Sequence, residues 1–502
     1  MASPQSIADR VAEVLALSPE TGAVEFNGEW TTWAALDQAA QRIEVTLATM
    51  EIAKGAPIGW IARNHPAAVA AFVALLRAGR PIAPLRPNQA PAGFCDEITG
   101  QKLEAIVGLG ADWGLPGVIE AAKAVGSAGV RVVEEPPGFS IEVIPELATV
   151  GAGSHRPHAP TMVVERLSSG TTGAPKRIPV SVDKMLPALQ VAEEASSSAA
   201  GGPLTVKTSP SIILSPFTHA GGIFGLLMAM YQARPIVLFD RFDVRRWVEA
   251  VQTYRPKSAS LVPAMIRMVL DSDTPREALS SLKAVRSGTA ALDPSAQLEF
   301  QERFGIPVLI DYGAAEFIGG IAGWSLADHR AHGTSKLGSV GRPRSDVKLR
   351  TIDPDTKAVQ EADQVGQLEI FSTRFATDWI RTNDLARIDK DGFLYIHGRL
   401  DDAINRGGFK ILPDEISPII REYPGVPDAT VLGFPDERLG QVPVAIIETR
   451  DQALDPEAIK SFLRGRLPAY QVPVAVKFVD ALPRTTTMKI NRPELKAMFG
   501  LA

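Results

Sequence analysis

Leu167-Ser168-Ser169-Gly170-Thr171-Thr172-Gly173-Ala174-Pro175-Lys176 is a run of hydroxyls and glycines that ends in a lysine. Glycines let the backbone curl until successive N–H groups point inward and form an anion-holding concavity. The hydroxyls of Ser168, Ser169, Thr171 and Thr172 add donors, and Lys176 adds a compact positive charge suited to phosphate. The apolar run Met162-Val163-Val164 just upstream reads as a short strand, so the loop leaves a sheet. A plain Ser/Gly turn remains open for this stretch taken alone.

Two familiar phosphate loops are excluded. The P-loop signature needs a longer spacer between its glycines and a Ser or Thr directly after its lysine. Here only Thr171 and Thr172 separate Gly170 from Gly173, and Arg177 follows Lys176. The dinucleotide fingerprint fails too, because Gly108-Leu-Gly110 and Gly151-Ala-Gly153 both lack the third glycine.

Working outward, the chain has 502 residues, enough for two to four structural units, with 45% hydrophobic and 22% charged residues. A net charge of −5 argues against a nucleic-acid surface and against an anionic-membrane anchor. The single cysteine, Cys95, excludes an intrachain disulfide and a zinc–thiolate cluster. The first residues lack a basic segment followed by an apolar core, and the longest apolar runs are about half a membrane span. A soluble, cytoplasmic protein without membrane insertion is expected.

The fold class expected is α/β. Residues 7–50 read as helix, strand, turn, strand, helix, with Asn27-Gly28 as the hairpin turn. Residues 58–61 and 81–84 read as buried strands around an apolar helix at 66–78, whose alanines are core rather than site. Strand–helix alternation continues to about 335, as a layered sheet with helices on its faces requires. From 336 the pattern becomes short strands with Gly, Asp and Pro turns, expected at 338–343, 347–352, 366–371 and 393–396. The expected division is a large N-terminal region, 1–399, and a smaller mobile α+β domain, 400–502. The large region comprises α/β subdomains at 1–165 and 166–335 and a β subdomain at 336–399.

Several stretches carry groups that suit nucleotide chemistry. Asp311-Tyr312-Gly313 ends a strand with a flat ring beside a glycine, and Glu316 offers a hard oxygen for Mg²⁺. Asp384 and Arg399 suit the two hydroxyls of a ribose, although for an Asp and an Arg fifteen residues apart, taken alone, a surface ion pair is the more common reading. Gly407-Gly408-Phe409-Lys410 is a loop able to slide close to a ligand, or a simple β-turn. Lys489 sits in a loop bounded by Pro483 and Pro493. His219 lies among small residues in Phe217-Thr-His219-Ala-Gly221-Gly222.

Ser168-Ser-Gly-Thr-Thr-Gly-Ala-Pro-Lys176 resembles the signature loop of the adenylate-forming (AMP-binding) superfamily, which includes acyl- and aryl-CoA synthetases, peptide-synthetase adenylation domains and firefly-type luciferases. The resemblance covers essentially the whole chain. It implies that residues 168–173 and Lys176 hold ATP phosphates and that Gly288, Thr289 and Ala290 flank adenine with Gly313. It further implies that Asp311 and Tyr312 form the adenine platform and that Glu316 meets Mg²⁺. Asp384 and Arg399 would hold the ribose, Asp401 would be the hinge, and Gly407 to Lys410 would line a CoA tunnel. Phe217, His219, Gly221, Gly222 and Gly313 would line the acyl pocket, with His219 at its mouth. Lys489 would bridge substrate carboxylate and α-phosphate.

Three positions depart from the pattern: Ala315 for threonine, Asn383 for glycine and Met488 for glycine. No aspartate lies between 217 and 225 to pair with a substrate amine, so a non-amino acid is the expected substrate. Abundant Gly and Ala in 217–225, 287–291 and 313–319 suggest room for a bulky apolar acid. The implied activity is an acid–thiol ligase that uses ATP, Mg²⁺ and CoA. The alternatives are transfer to a carrier protein or an amine, and a weakened nucleotide-binding protein. An oligomer is also allowed.

Overall fold

The computed structural model describes residues 6–167, 176–196, 204–313, 317, 319–450, 454–485 and 488–501. The chain forms two compact units. One comprises Met1–Leu261, Asp271–Val285 and Ala314–Gly319, and the other Val262–Leu270, Arg286–Gly313 and Gly320–Ala502.

The first unit is built on a seven-stranded sheet. Its order is Gly138–Val143, Ala128–Glu135, Ala105–Leu109, Ile58–Ile61, Ile82–Leu85, Met162–Leu167, Arg177–Ser181. The five inner strands pair in parallel and the two outer ones antiparallel. Every residue of Ile58–Ile61, Ile82–Leu85 and Ala105–Leu109 is buried, as a parallel sheet covered on both faces demands. The helix Pro66–Arg77 is buried from Pro66 through Leu76. Its small alanines let it lie close against Trp60, whose Nε1 donates to Ala68 O at 2.9 Å.

The second sheet of this unit runs Ser211–Ile213, Ile236–Leu238, Gly22–Phe26, Glu29–Thr32. Phe26 pairs with Glu29 across Asn27 (φ 56°) and Gly28 (φ 90°). Both turn residues are left-handed, which is the twist a two-residue hairpin prefers.

In the second unit, Lys348–Ile352, Val365–Phe371, Ile380–Ile388 and Leu394–Arg399 form an antiparallel four-stranded sheet. The strand Ile380–Ile388 was not among the strands expected from sequence, because Arg381, Asn383, Asp384 and Arg387 hide its alternation. Toward the C-terminus, Phe409–Ile411, Ile404–Arg406, Gly440–Glu448 and Asp428–Asp436 form another sheet, and Ala475–Val479 pairs in parallel with Gly440–Glu448. Side chains alternate along a strand. Ala445 and Ile447 therefore pack with Ile416, Ile420, Ile459 and Leu463 of the helices Pro413–Arg421 and Pro456–Arg464. Val444 and Ile446 pack on the opposite face with Leu495 of the helix Arg492–Met498. No helix among the described residues is long and apolar enough to cross a membrane.

Candidate active site

In the first unit, the signature loop is carried on a hairpin whose last pair is Leu167 with Arg177. Residues 168–175 themselves, and with them Ser168, Ser169, Gly170, Thr171, Thr172 and Gly173, lie outside the described residues, as do Ala315 and Glu316. What is described is how tightly the hairpin is anchored. Arg177 donates to Pro84 O at 2.8 Å and pairs with Glu165 at 3.1 Å and with Glu97. Glu165 is 1% exposed and is also held by Arg156. Arg166 Nη1 donates to Phe317 O at 2.6 Å. The strands flanking this loop are thus fixed by charge-assisted bonds in a buried setting, where such bonds are strong. Lys176, just past the loop, is exposed.

The same unit holds Phe217, His219, Gly221 and Gly222. Phe217 is fully buried, with its ring tilted against Trp60 at 5.7 Å. His219 is the N-cap residue of the helix Ala220–Tyr231 and is part-buried. A Cβ on Gly222 would fall 2.8 Å from Ser215 O and closer still to Pro216 O, so only glycine lets the helix start here. Gly221 is exposed. Asn64 organises this turn: Oδ1 accepts from Phe217 N–H at 2.9 Å, and Nδ2 donates to Ser215 O at 3.1 Å and Phe239 O at 2.9 Å. Sequence reading missed Asn64, since its role needs three backbone groups from distant segments. Asn64→Ala strands those groups and is expected to cost about 1–3 kcal/mol, read as a lowered midpoint in equilibrium unfolding.

In the second unit, residues distant in sequence meet. Tyr312 Oη donates to Asp384 Oδ2. Asp384 stands opposite Arg399 in the ladder, and the two side chains approach to 3.7 Å. Arg399 is held from its other side by Asp401 through two 2.8 Å bonds, and Asn383 Nδ2 reaches Asp401 Oδ2 at 3.5 Å. The Arg399 bonds hold the Asp401 carboxyl below the usual carboxylate range, against the effect of burial. The same bonds push the Arg399 guanidinium further up. Asn383 thus donates where glycine would offer no side chain.

Lys489 lies within reach of the charges of this cluster. Burial lowers the Lys489 pKa, the Arg399 charge lowers it further, and Asp384 opposes both. Its loop is a tight turn: Thr485 N donates to Lys489 O and Met488 N to Thr485 O, both at 2.8 Å. Arg484, paired with Asp428 at 2.6 Å, ties down the base of the turn. Met488 sits at φ 63°, in the left-handed region that glycine occupies freely. Left-handed geometry costs a side-chain-bearing residue about 1–2 kcal/mol, partly offset by the freer unfolded chain that glycine brings. Met488→Gly is therefore expected to raise stability by up to about 1 kcal/mol, seen as a higher melting temperature.

Five further residues lie at or just past the ends of two strands, Ala284–Ser287 and Val308–Tyr312. A Cβ on Gly288 would fall 2.9 Å from Asp311 O, so glycine is what lets these strands approach. Thr289 takes φ 69°, and it and Ala290 are exposed, as is Gly313. Asp311 is clamped by Arg286 Nη1 at 2.9 Å and by Arg344 Nη2. Neither arginine stood out in the sequence.

Gly407 (φ 55°) and Gly408 (φ 92°) form the two-residue turn between Ile404–Arg406 and Phe409–Ile411. Phe409 is 55% exposed and stacks on Tyr470 at 4.6 Å, with Lys410 exposed beside it.

Comparison with known proteins gives these features a family. The model of the AMP-binding enzyme family matches residues 11–374, and that of the AMP-binding enzyme C-terminal domain matches 415–489. The chain is 32% identical over 354 residues to 4-coumarate–CoA ligase-like 9 of Oryza sativa subsp. japonica. That alignment covers 66% of the chain and 63% of the relative, less than two thirds of its length. It is 26% identical over 509 residues to a feruloyl-CoA synthase of an Amycolatopsis species, covering 96% and 97%. The crystal structure of ATP-bound MatB from Rhodopseudomonas palustris shares the fold, with a TM-score of 0.82, 21% identity and coverage of 98% and 99%. The chain belongs to the AMP-binding enzyme family.

Proposed function

We propose that this protein is an acid–thiol ligase. The carboxylate of an acid attacks the α-phosphorus of Mg-ATP, the bond to the β-phosphate oxygen breaks, and acyl-AMP and pyrophosphate form. The thiol of CoA then attacks the acyl carbon, giving the thioester and AMP. One observation carries the reading: Tyr312, Asp384, Arg399 and Lys489, far apart in sequence, share one electrostatic cluster. Asp384 is an acceptor pair for ribose hydroxyls, and Tyr312 offers a ring face for adenine. Lys489 supplies a positive charge where negative charge grows at phosphorus. Such preorganised charge in a partly dry site lowers the barrier without reorganising solvent. Positioning does the rest, and no protein nucleophile is required.

Residues 400–502 move as a unit about Asp401 in this reading, bringing the Gly407-Gly408 hairpin and Phe409 to the thiol substrate after adenylation. Mg²⁺ enters with the nucleotide, with Glu316 as its protein ligand. The names of these relatives, a 4-coumarate–CoA ligase-like protein and a feruloyl-CoA synthase, support CoA as acceptor.

The test is pyrophosphate release from ATP with a panel of acids. Mass spectrometry then compares products formed with CoA, with a phosphopantetheine carrier and with amines. Acid-dependent pyrophosphate followed by a CoA thioester is expected. Nucleotide binding without pyrophosphate for any acid would instead favour a binding protein, and an amide product would move the acceptor to amines.

A further inference from the structure

Asp311 lies between two arginines from neighbouring segments. Arg286 reaches its Oδ2 at 2.9 Å from the strand Ala284–Ser287, and Arg344 reaches Oδ1 from just past the strand Arg342–Pro343. The arrangement is built into the backbone. Gly323 pairs with Asp311 in the ladder, and a Cβ there would fall 2.6 Å from Arg344 Nη2 and closer still to Asp311 Oδ1. Arg344 N donates to Ile321 O at 2.9 Å, which fixes where its side chain starts. The glycine keeps open the space in which the ions meet.

Two guanidinium groups share one carboxylate, so the cluster carries an excess positive charge. Among the described residues, Asp311 is the only ion-pair partner of either arginine. Each guanidinium has five donors in a planar fork, and most of them are left for something else. The side chains of Arg286, Arg344 and Asp311 are 41%, 29% and 26% exposed, so the cluster is open to a small molecule. Arg374, whose pKa burial lowers with the Arg344 charge adding to that effect, is neutralised by Asp346 at 3.1 Å, so the excess charge rests on Arg286 and Arg344.

Arg286 immediately precedes Ser287-Gly288-Thr289-Ala290, and Asp311 immediately precedes Tyr312-Gly313, the segments read above as walls of the acyl and adenine site. Partly desolvated charge is a costly wall for an apolar acid. It is a favourable one for a second planar anion, which a guanidinium fork binds through paired hydrogen bonds.

We infer that Arg286 and Arg344, spaced by Asp311, receive a second carboxylate on the substrate, so that the acid activated is a dicarboxylate. This rests on the ligase reading and names its substrate class. Asp311 keeps the two guanidinium groups oriented and tempers their charge in the empty site.

The test uses dicarboxylic acids from succinic to suberic, together with isophthalic acid, each paired with its monoamide of the same shape. Pyrophosphate release gives kcat/KM for each, and the thermal shift induced by each acid gives binding without turnover. The wild type is expected to favour the best diacid over its monoamide by about 10–100-fold, through KM. Arg286→Gln and Arg344→Gln should each lower that ratio about tenfold, and Asp311→Asn, which unmasks both arginines, should raise it. A mere ion-pair staple predicts no wild-type preference and a loss of melting temperature in all three variants with the ratio unmoved. Either result overturns the inference. Should no acid release pyrophosphate, the ligase reading fails, and the thermal-shift ratio still decides whether the arginines bind a second carboxylate.

Discussion

Lys489→Ala is expected to lower acid-dependent pyrophosphate release by about 10²–10³-fold, while thioester formation from supplied acyl-AMP retains most of its rate. The asymmetry follows from where the charge is needed. In the first half-reaction negative charge builds on the oxygens around phosphorus, and a nearby ammonium is worth more there than in water because burial lowers the local dielectric. In the second half-reaction the thiol adds to the acyl carbon, negative charge passes from the carbonyl oxygen to the departing AMP, and in the proposed mechanism residues 400–502 have by then turned about Asp401 and carried Lys489 away. A lysine in the field of Asp384 and Arg399 before that turn serves the first step and is out of reach in the second. Rapid-quench assays of each half-reaction, run on the same preparation, separate the two. Equal losses in both would mean that Lys489 holds the domain together rather than stabilising charge.

Much of this arrangement was legible in the sequence, and the reasons differ by residue. Asn27-Gly28 announces a hairpin because two left-handed positions admit few residue types, and the turn forms as read. The apolar helix Pro66–Arg77 announces burial because no face of it is polar. The strand Ile380–Ile388 escapes because Arg381, Asn383, Asp384 and Arg387 replace the apolar alternation by which a strand is read. The cluster of Tyr312, Asp384, Arg399 and Lys489 has no local signature at all. Its members come together only through sheet register and the C-terminal turn, so resemblance to a known family was the only route to it from sequence. Arg286 and Arg344 escape for the opposite reason. An arginine at a strand end is ordinary, and only the shared carboxylate sets this pair apart. Asn383 and Met488 were visible as departures from a pattern. Their consequences, a donor to Asp401 and a left-handed backbone, required coordinates.

Asp384→Asn is expected to lower kcat/KM for ATP by about 10–100-fold, since an acceptor that binds ribose hydroxyls as a charged group becomes neutral. It should also move the basic limb of the pH profile to lower pH. Lys489 acts in its charged form, and its pKa in the free protein is lowered from 10.5 by burial and then by Arg399, with Asp384 alone opposing. In the wild type, kcat/KM therefore falls as pH rises through a value below the ordinary lysine range. Removing the Asp384 charge removes the opposing influence, so in the variant the fall comes at lower pH. Profiles of kcat, which report the nucleotide complex, should show the limb at higher pH in both proteins, because bound phosphates favour the ammonium. The same shift has a stability sign. Between the lowered value and 10.5 the unfolded chain holds the Lys489 proton more tightly than the folded one, so stability rises with pH across that window. Asp384→Asn widens the window downward. A limb that stays in place, or moves up, would show that Asp384 and Lys489 do not share a field, and the active site proposed on Tyr312, Asp384, Arg399 and Lys489 would fall.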